Sequence, residues 1–153
     1  MILRSDTFTD GGTIPLSMVF NDMGCTGQNR SPQLSWSDIP DGTQSFAIVM
    51  HDPDAPTSGG FYHWVMFNIP GDTRELPEGG GGAKGVLGHN DFGKNEFSGP
   101  CPPPGLPHHY NTTLHALGIK ELPLDGSTTG AKLEFMLAEY SLGSAKLGGL
   151  YGK

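Results

Sequence analysis

Apolar residues in this chain gather in short runs rather than in long helical stripes. Phe46-Ala47-Ile48-Val49-Met50 is continuous up to His51, the pattern of a strand buried on both faces. Phe61 to Ile69 (FYHWVMFNI) reads the same way and is ended by Pro70-Gly71. His109 to Leu117 alternates more cleanly, with Tyr110, Thr112, Leu114 and Ala116 on one face. Ile14 to Phe20 is a weaker strand candidate. A helical stripe of Leu133, Met136, Leu137 and Tyr140 predicts one amphipathic helix. Ser127, Thr128 or Thr129 can cap its start and Gly143 can end it. Ala145 to Tyr151 is expected to return as a last strand.

Composition sharpens this to one β-rich domain. Gly 24 and Pro 13 with only 16% charged residues imply short elements joined by tight turns, and 35% hydrophobic residues exclude a disordered chain. The 153 residues fit a single domain, with no compositional boundary or repeat. The net charge of −7 and the scattered basic residues exclude counterion-release binding to nucleic acid and stable adsorption to an anionic membrane. No run approaches a membrane span. Cys25 and Cys101 could form one disulfide by arithmetic. A domain of this size does not need one, however, and the segment MILRSDTFTD has no secretory hydrophobic region, so reduced cysteines and a cytoplasmic location are expected. The Asn111-Thr112-Thr113 sequon is then incidental.

Two stretches carry candidate chemistry. HDPDAP, His51 to Pro56, pins Asp52 and Asp54 between prolines directly after the first apolar run. GPCPPPGLPHHY, Gly99 to Tyr110, is a stiff proline loop leading into the alternating strand, where His108 and Tyr110 share a face and His109 points the other way. His63 falls on the face of Val65 and Phe67 by the same alternation. If Asp52, Asp54, His63, His108 and Tyr110 converge, N–H and O–H donors could hold an oxyanion while the carboxylates fix tautomers. The equally economical structural reading has Asp52 and Asp54 making Asx-turns and the histidines ending strands. Gly80 and Gly85 have the outer spacing of a phosphate loop, but Val86-Leu87 stand where Lys and Ser/Thr are needed. No G-x-S-x-G, H-E-x-x-H or C-x-x-C pattern occurs, so neither a nucleophile elbow, a metal nor a cofactor is expected.

Taken together, DPDAP, a histidine at the start of the next strand, and G-P-x-P-P-x-G leading to H-x-Y resemble the phosphatidylethanolamine-binding protein family. CTGQNRSPQLSW (Cys25 to Trp36), NDFG (Asn90 to Gly93) and the terminal GLYGK resemble its bacterial and archaeal, YbhB/YbcL-type Raf kinase inhibitor-like members. The resemblance implies an antiparallel β-sandwich with small flanking helices and a small preformed pocket for phosphate or a phosphorylated headgroup. Asp52 and His63 then match the pocket's Asp and His, and His108 and Tyr110 its H-x-Y. Asp54, Ala55 and Pro56 belong to the DPDAP wall, and Gly99 and Pro100 to a rim whose backbone N–H groups can face the anion. Three departures bear on the ligand. His109 stands where many relatives have Arg, Phe61-Tyr62 precede His63 where animal members have Trp-His, and the chain stops at Lys153 without the eukaryotic extension over the pocket. The resemblance implies a non-enzymatic binding protein, regulating a kinase or a protease as a partner, with a homodimer as the expected assembly. The rivals are a small acid–base enzyme acting on a phosphoester and a surface-acting protein with a vestigial pocket.

Overall fold

The computed structural model describes residues 1–153. The chain runs through β1 (Ile2–Arg4), β2 (Leu34–Ser37), β3 (Ser45–Asp52), β4 (Phe61–Pro70), β5 (Glu75–Leu76), β6 (Val86–Leu87), β7 (His108–Leu117), α1 (Gly130–Tyr140) and β8 (Ser141–Tyr151). Two antiparallel sheets result, a small one in the order β1-β2-β5 and a large one in the order β6-β4-β3-β7-β8.

The large sheet is covered on both faces, which is why β3 and β4 read as continuous apolar runs. On one face Phe46, Ile48, Met50, Trp64, Met66 and Leu114 pack against Leu3, Leu34, Trp36 and Leu76 of the small sheet. On the other face Ala47, Val49, Val65 and Phe67 meet Leu133 and Leu137 of α1. The helix lies close because its first residue has no side chain: a Cβ on Gly130 would come within 2.3 Å of the Tyr62 ring. Tyr62 then donates its hydroxyl to Glu134 at 2.5 Å, tying β4 to the helix.

Several expectations need correction. Ile14–Phe20 is not a strand, although Ile14, Met18, Val19 and Phe20 are buried. Pro15 starts a turn there, closed by Met18 N–H donating to the Pro15 carbonyl, so burial comes from a packed loop. Ahead of it, Gly11 and Ile14 donate to the Gly148 and Leu150 carbonyls, and Leu150 donates to Gly12, laying residues 11–14 along β8. The helix starts at the Thr129 cap, as one of the three candidates, but ends at Tyr140. Ser141 already begins β8, so Gly143 is a strand residue and no glycine stop is used.

The cysteines are not reduced: Cys25 and Cys101 form a disulfide with a Cα–Cα distance of 6.0 Å, across 76 positions of sequence. Domain size speaks to whether a bridge is needed, not to which loops meet. Here Phe20 donates to the Pro100 carbonyl, so the fold itself holds the two loops side by side. No helix is long and apolar enough to cross a membrane.

Candidate functional site

The site forms where β3, β4 and β7 end together. Met50 pairs with Trp64 and His51 with Tyr62, so β4 carries one extra residue, His63. This β-bulge breaks the alternation. His63 therefore does not share the helix-side face of Val65 and Phe67. It turns to the opposite face, with its ring 5.3 Å from Tyr110 and 4.9 Å from Phe61.

Each polar group there is held by a specific partner. Asp52, 3% exposed, ends β3; its Oδ2 accepts the His108 Nδ1–H at 2.7 Å and its Oδ1 accepts the Asp54 N–H at 2.8 Å. The Asx-turn and the pocket carboxylate are thus the same residue, so the two sequence readings were not exclusive. His63 donates Nδ1–H to the Ser98 carbonyl at 2.8 Å. Burial pushes its imidazole below the usual range, opposed by the Ser98 carbonyl and the Asp52 charge. In the neutral ring Nε2 then carries a lone pair. Tyr110, 1% exposed, has its hydroxyl pushed above the usual phenol range by burial and then by the charge of Asp52.

These groups enclose a cavity of about 160 Å³ lined by Asp52, Phe61, His63, Phe92, His108 and Tyr110, with Ala55, Pro56, Thr57, Cys101, Pro102 and Pro103 completing the wall. It is well under the roughly 300–1,000 Å³ of sites for drug-sized ligands, so only a small ligand or part of one fits. No Lys or Arg lines it.

Asp54, Gly99 and Pro100 are not part of this lining, although the Gly99 carbonyl lies near enough to the His63 ring to favour its charged form. Asp54 turns outward, and its Oδ2 accepts both the backbone N–H and Nδ1–H of His109 at 2.7 Å. Those two bonds, the backbone one first, hold its carboxyl below the usual range. The N–H of Gly99 does not face the cavity as the rim reading required, because it donates to Asn29 Oδ1 at 2.7 Å. Its lack of a side chain serves packing: a Cβ would fall 1.8 Å from the Met18 carbonyl oxygen. Pro100 has no N–H to offer and gives its carbonyl to Phe20.

Residue-by-residue reading missed Phe92, Ser98 and Cys101 as parts of the site. NDFG was the available signal for the first two. Asn90 Oδ1 accepts the N–H groups of Phe92 and Lys94, while its Nδ2 donates to Ser98 Oγ and Glu96 O. One buried side chain thus sets both the aromatic that stands over His63 and the loop that fixes its tautomer. Phe92 stacks on Phe20 at 4.8 Å and meets Phe61 edge-on at 4.7 Å.

Comparison with known proteins places this geometry in a wider set. The family model described as phosphatidylethanolamine-binding protein matches residues 4–152. The chain is 43% identical over 157 residues to the UPF0098 protein YbhB of Escherichia coli, covering 99% of both. It is 40% identical to the UPF0098 protein YbcL of the same organism, covering 97% of this chain and 86% of that one. The crystal structure of E. coli YbcL, described as a new member of the mammalian PEBP family, superposes with a TM-score of 0.94 at 38% identity, covering 99% of this chain and 97% of that one.

Proposed function

This chain belongs to the phosphatidylethanolamine-binding protein family, and we propose that it is a non-enzymatic binding protein whose preformed pocket takes phosphate or a phosphorylated headgroup. One observation carries the reading: Asp52 and Ser98 fix the rings of His108 and His63 before any ligand arrives. Ordering of those side chains is then not charged to binding. Pairing with His108 also offsets the Asp52 carboxylate, which alone would repel an anion. Phe61, Phe92 and the proline wall exclude water around the polar floor, so each hydrogen bond to a bound oxyanion counts for more.

A partner enzyme, a kinase or a protease, is the second half of the proposal: the occupied pocket and its proline rim form the surface such a partner reads. The Cys25–Cys101 bridge favours an oxidising compartment over the cytoplasm expected from reduced cysteines.

The test is an NMR titration of the histidine side chains with phosphate and phosphoethanolamine between about pH 6 and 7.5. His63 and His108 should shift together and saturably, and His63→Ala should abolish the response. Silence of both rings at millimolar ligand overturns the anion reading. Turnover of p-nitrophenyl phosphate that disappears in His63→Ala would replace binding with acid–base catalysis.

A further inference from the structure

We infer that the pocket selects an oxyanion bearing its own proton donor, a phosphomonoester as the hydrogen-phosphate monoanion, over a phosphodiester, and that His63 Nε2 is the acceptor that reads that proton. The inference rests on the anion-pocket reading and adds a chemical class to it.

The geometry at His63 carries the argument. Its Nδ1–H is committed to the Ser98 carbonyl at 2.8 Å, so the neutral ring meets the cavity with the lone pair of Nε2. That nitrogen has no protein donor opposite it. Around the ring, the Gly99 carbonyl favours a charged imidazole but offers no proton, and Asp52 from β3 is bonded to His108 and to the Asp54 N–H. From β7, Tyr110 lies edge-on to the ring at 5.3 Å. On the remaining sides stand the Phe61 and Phe92 rings, and Asp91 is occupied by the Tyr62 N–H. A fully ionised oxygen placed against Nε2 sets lone pair against negative charge, in a wall that holds no Lys or Arg. Protonating Nε2 would relieve this, but burial of the ring opposes it. A P–O–H group on the ligand meets the same nitrogen as a donor and leaves the ring neutral. A phosphodiester has no such hydrogen. On β7 the His108 Nδ1–H is spent on Asp52 and the Tyr110 hydroxyl is turned to the same carboxylate, so neither supplies the proton at His63.

The experiment compares monoethyl phosphate with ethyl methyl phosphate, two oxyanions without an ammonium group, on the intact disulfide-bonded protein. Calorimetry gives the affinities, and nitrogen-15 spectra of the histidines give the protonation of Nε2. The monoester should bind at least ~10-fold more tightly near pH 6, a ratio set by one unmet acceptor. Its affinity should fall about tenfold per pH unit above the ligand's second pKa of about 6. His63 should keep a neutral-ring spectrum in the complex. Equal affinity for the two esters, or an imidazolium spectrum at His63 on binding, overturns the inference while leaving the anion pocket standing; failure of both esters and of inorganic phosphate overturns the pocket reading itself. His63→Gln offers an amide N–H to a diester, so the ratio should drop below about 3-fold. The spectra of the unaltered protein decide the matter if that variant does not fold. Glycerol 3-phosphate and dihexanoyl phosphatidate then separate a soluble source from a lipid one. Binding of either supports the inference and names the source, and failure of both counts against it.

Discussion

Removing the disulfide by Cys25→Ser with Cys101→Ser opens a loop of 76 positions in the unfolded chain. In the chain-entropy account such a loop is worth about 15 cal/mol/K, or about 4.5 kcal/mol at 25 °C. Domains of this kind have about 5–15 kcal/mol in total, so the variant keeps its fold with a much smaller margin. With a urea slope of about 2 kcal/mol/M, the unfolding midpoint should fall by about 2 M. Reduction of the native protein with dithiothreitol should give the same midpoint as the double variant, and dithiothreitol should leave the variant unmoved. Because Cys101 also lines the cavity and is continuous with Pro102 and Pro103, anion affinity should fall in parallel. A midpoint shift below about 0.5 M would refute the reasoning, since it would mean that the unfolded ensemble keeps those segments together without the bond. Two free thiols titrated in the denatured, unreduced protein would refute it more directly.

Stability should also depend on pH through His63 and His115, whose rings burial holds below the usual imidazole range. The unfolded chain protonates them first, so ΔG of unfolding should fall as pH drops below about 6.5, by up to about 1.4 kcal/mol per pH unit for each ring; His115→Gln should flatten part of that slope in urea titrations run across the window. Gly99→Ala drives a Cβ into the Met18 carbonyl and should cost about 3 kcal/mol, read as a lower midpoint or as loss of folded protein; an unchanged midpoint would remove the packing account of this glycine. Asp54→Ala frees exposed groups only and should change stability by about 0.5 kcal/mol or less, with ligand affinity within about 2-fold. Asp52→Ala, by contrast, unties His108 and the Asp54 turn, and should weaken anion binding at least ~10-fold in the same calorimetric assay.

The strands that frame the site were readable because the large sheet is covered on both faces. Continuous apolar runs such as Phe46–Met50 leave few other options, and the Leu133/Leu137 stripe marks the one helix covering that sheet. The small sheet was not readable. Its strands have two to four residues, too few to show a period. The apolar residues between Ile14 and Phe20 suggested a strand, but apolarity reports depth, not backbone pairing. The face of His63 was misassigned because one inserted residue reverses parity, and nothing local to FYHW marks the insertion. Asp54 and Gly99 illustrate a second limit. A motif tells which residues stand near a site, but the two bonds from His109 to Asp54 and the one from Gly99 to Asn29 decide which way each polar group faces. The cysteine pairing, finally, is a property of loop proximity across the whole fold, and no spacing rule encodes it.

The short run of backbone bonds between residues 11–14 and β8 has a consequence for how this molecule behaves in a crowd. β8 is eleven residues long and forms one border of the large sheet. A border of that length offers its free N–H and C=O groups to any passing strand, including a second copy of itself. Gly11, Gly12 and Ile14 occupy those groups at Gly148 and Leu150, and the Asp10 carboxylate takes the Gly148 N–H. The opening residues of the chain therefore act as a guard rail: besides burying Leu3, Phe8 and Ile14 in the core, they help keep one folded domain from becoming the template for the next.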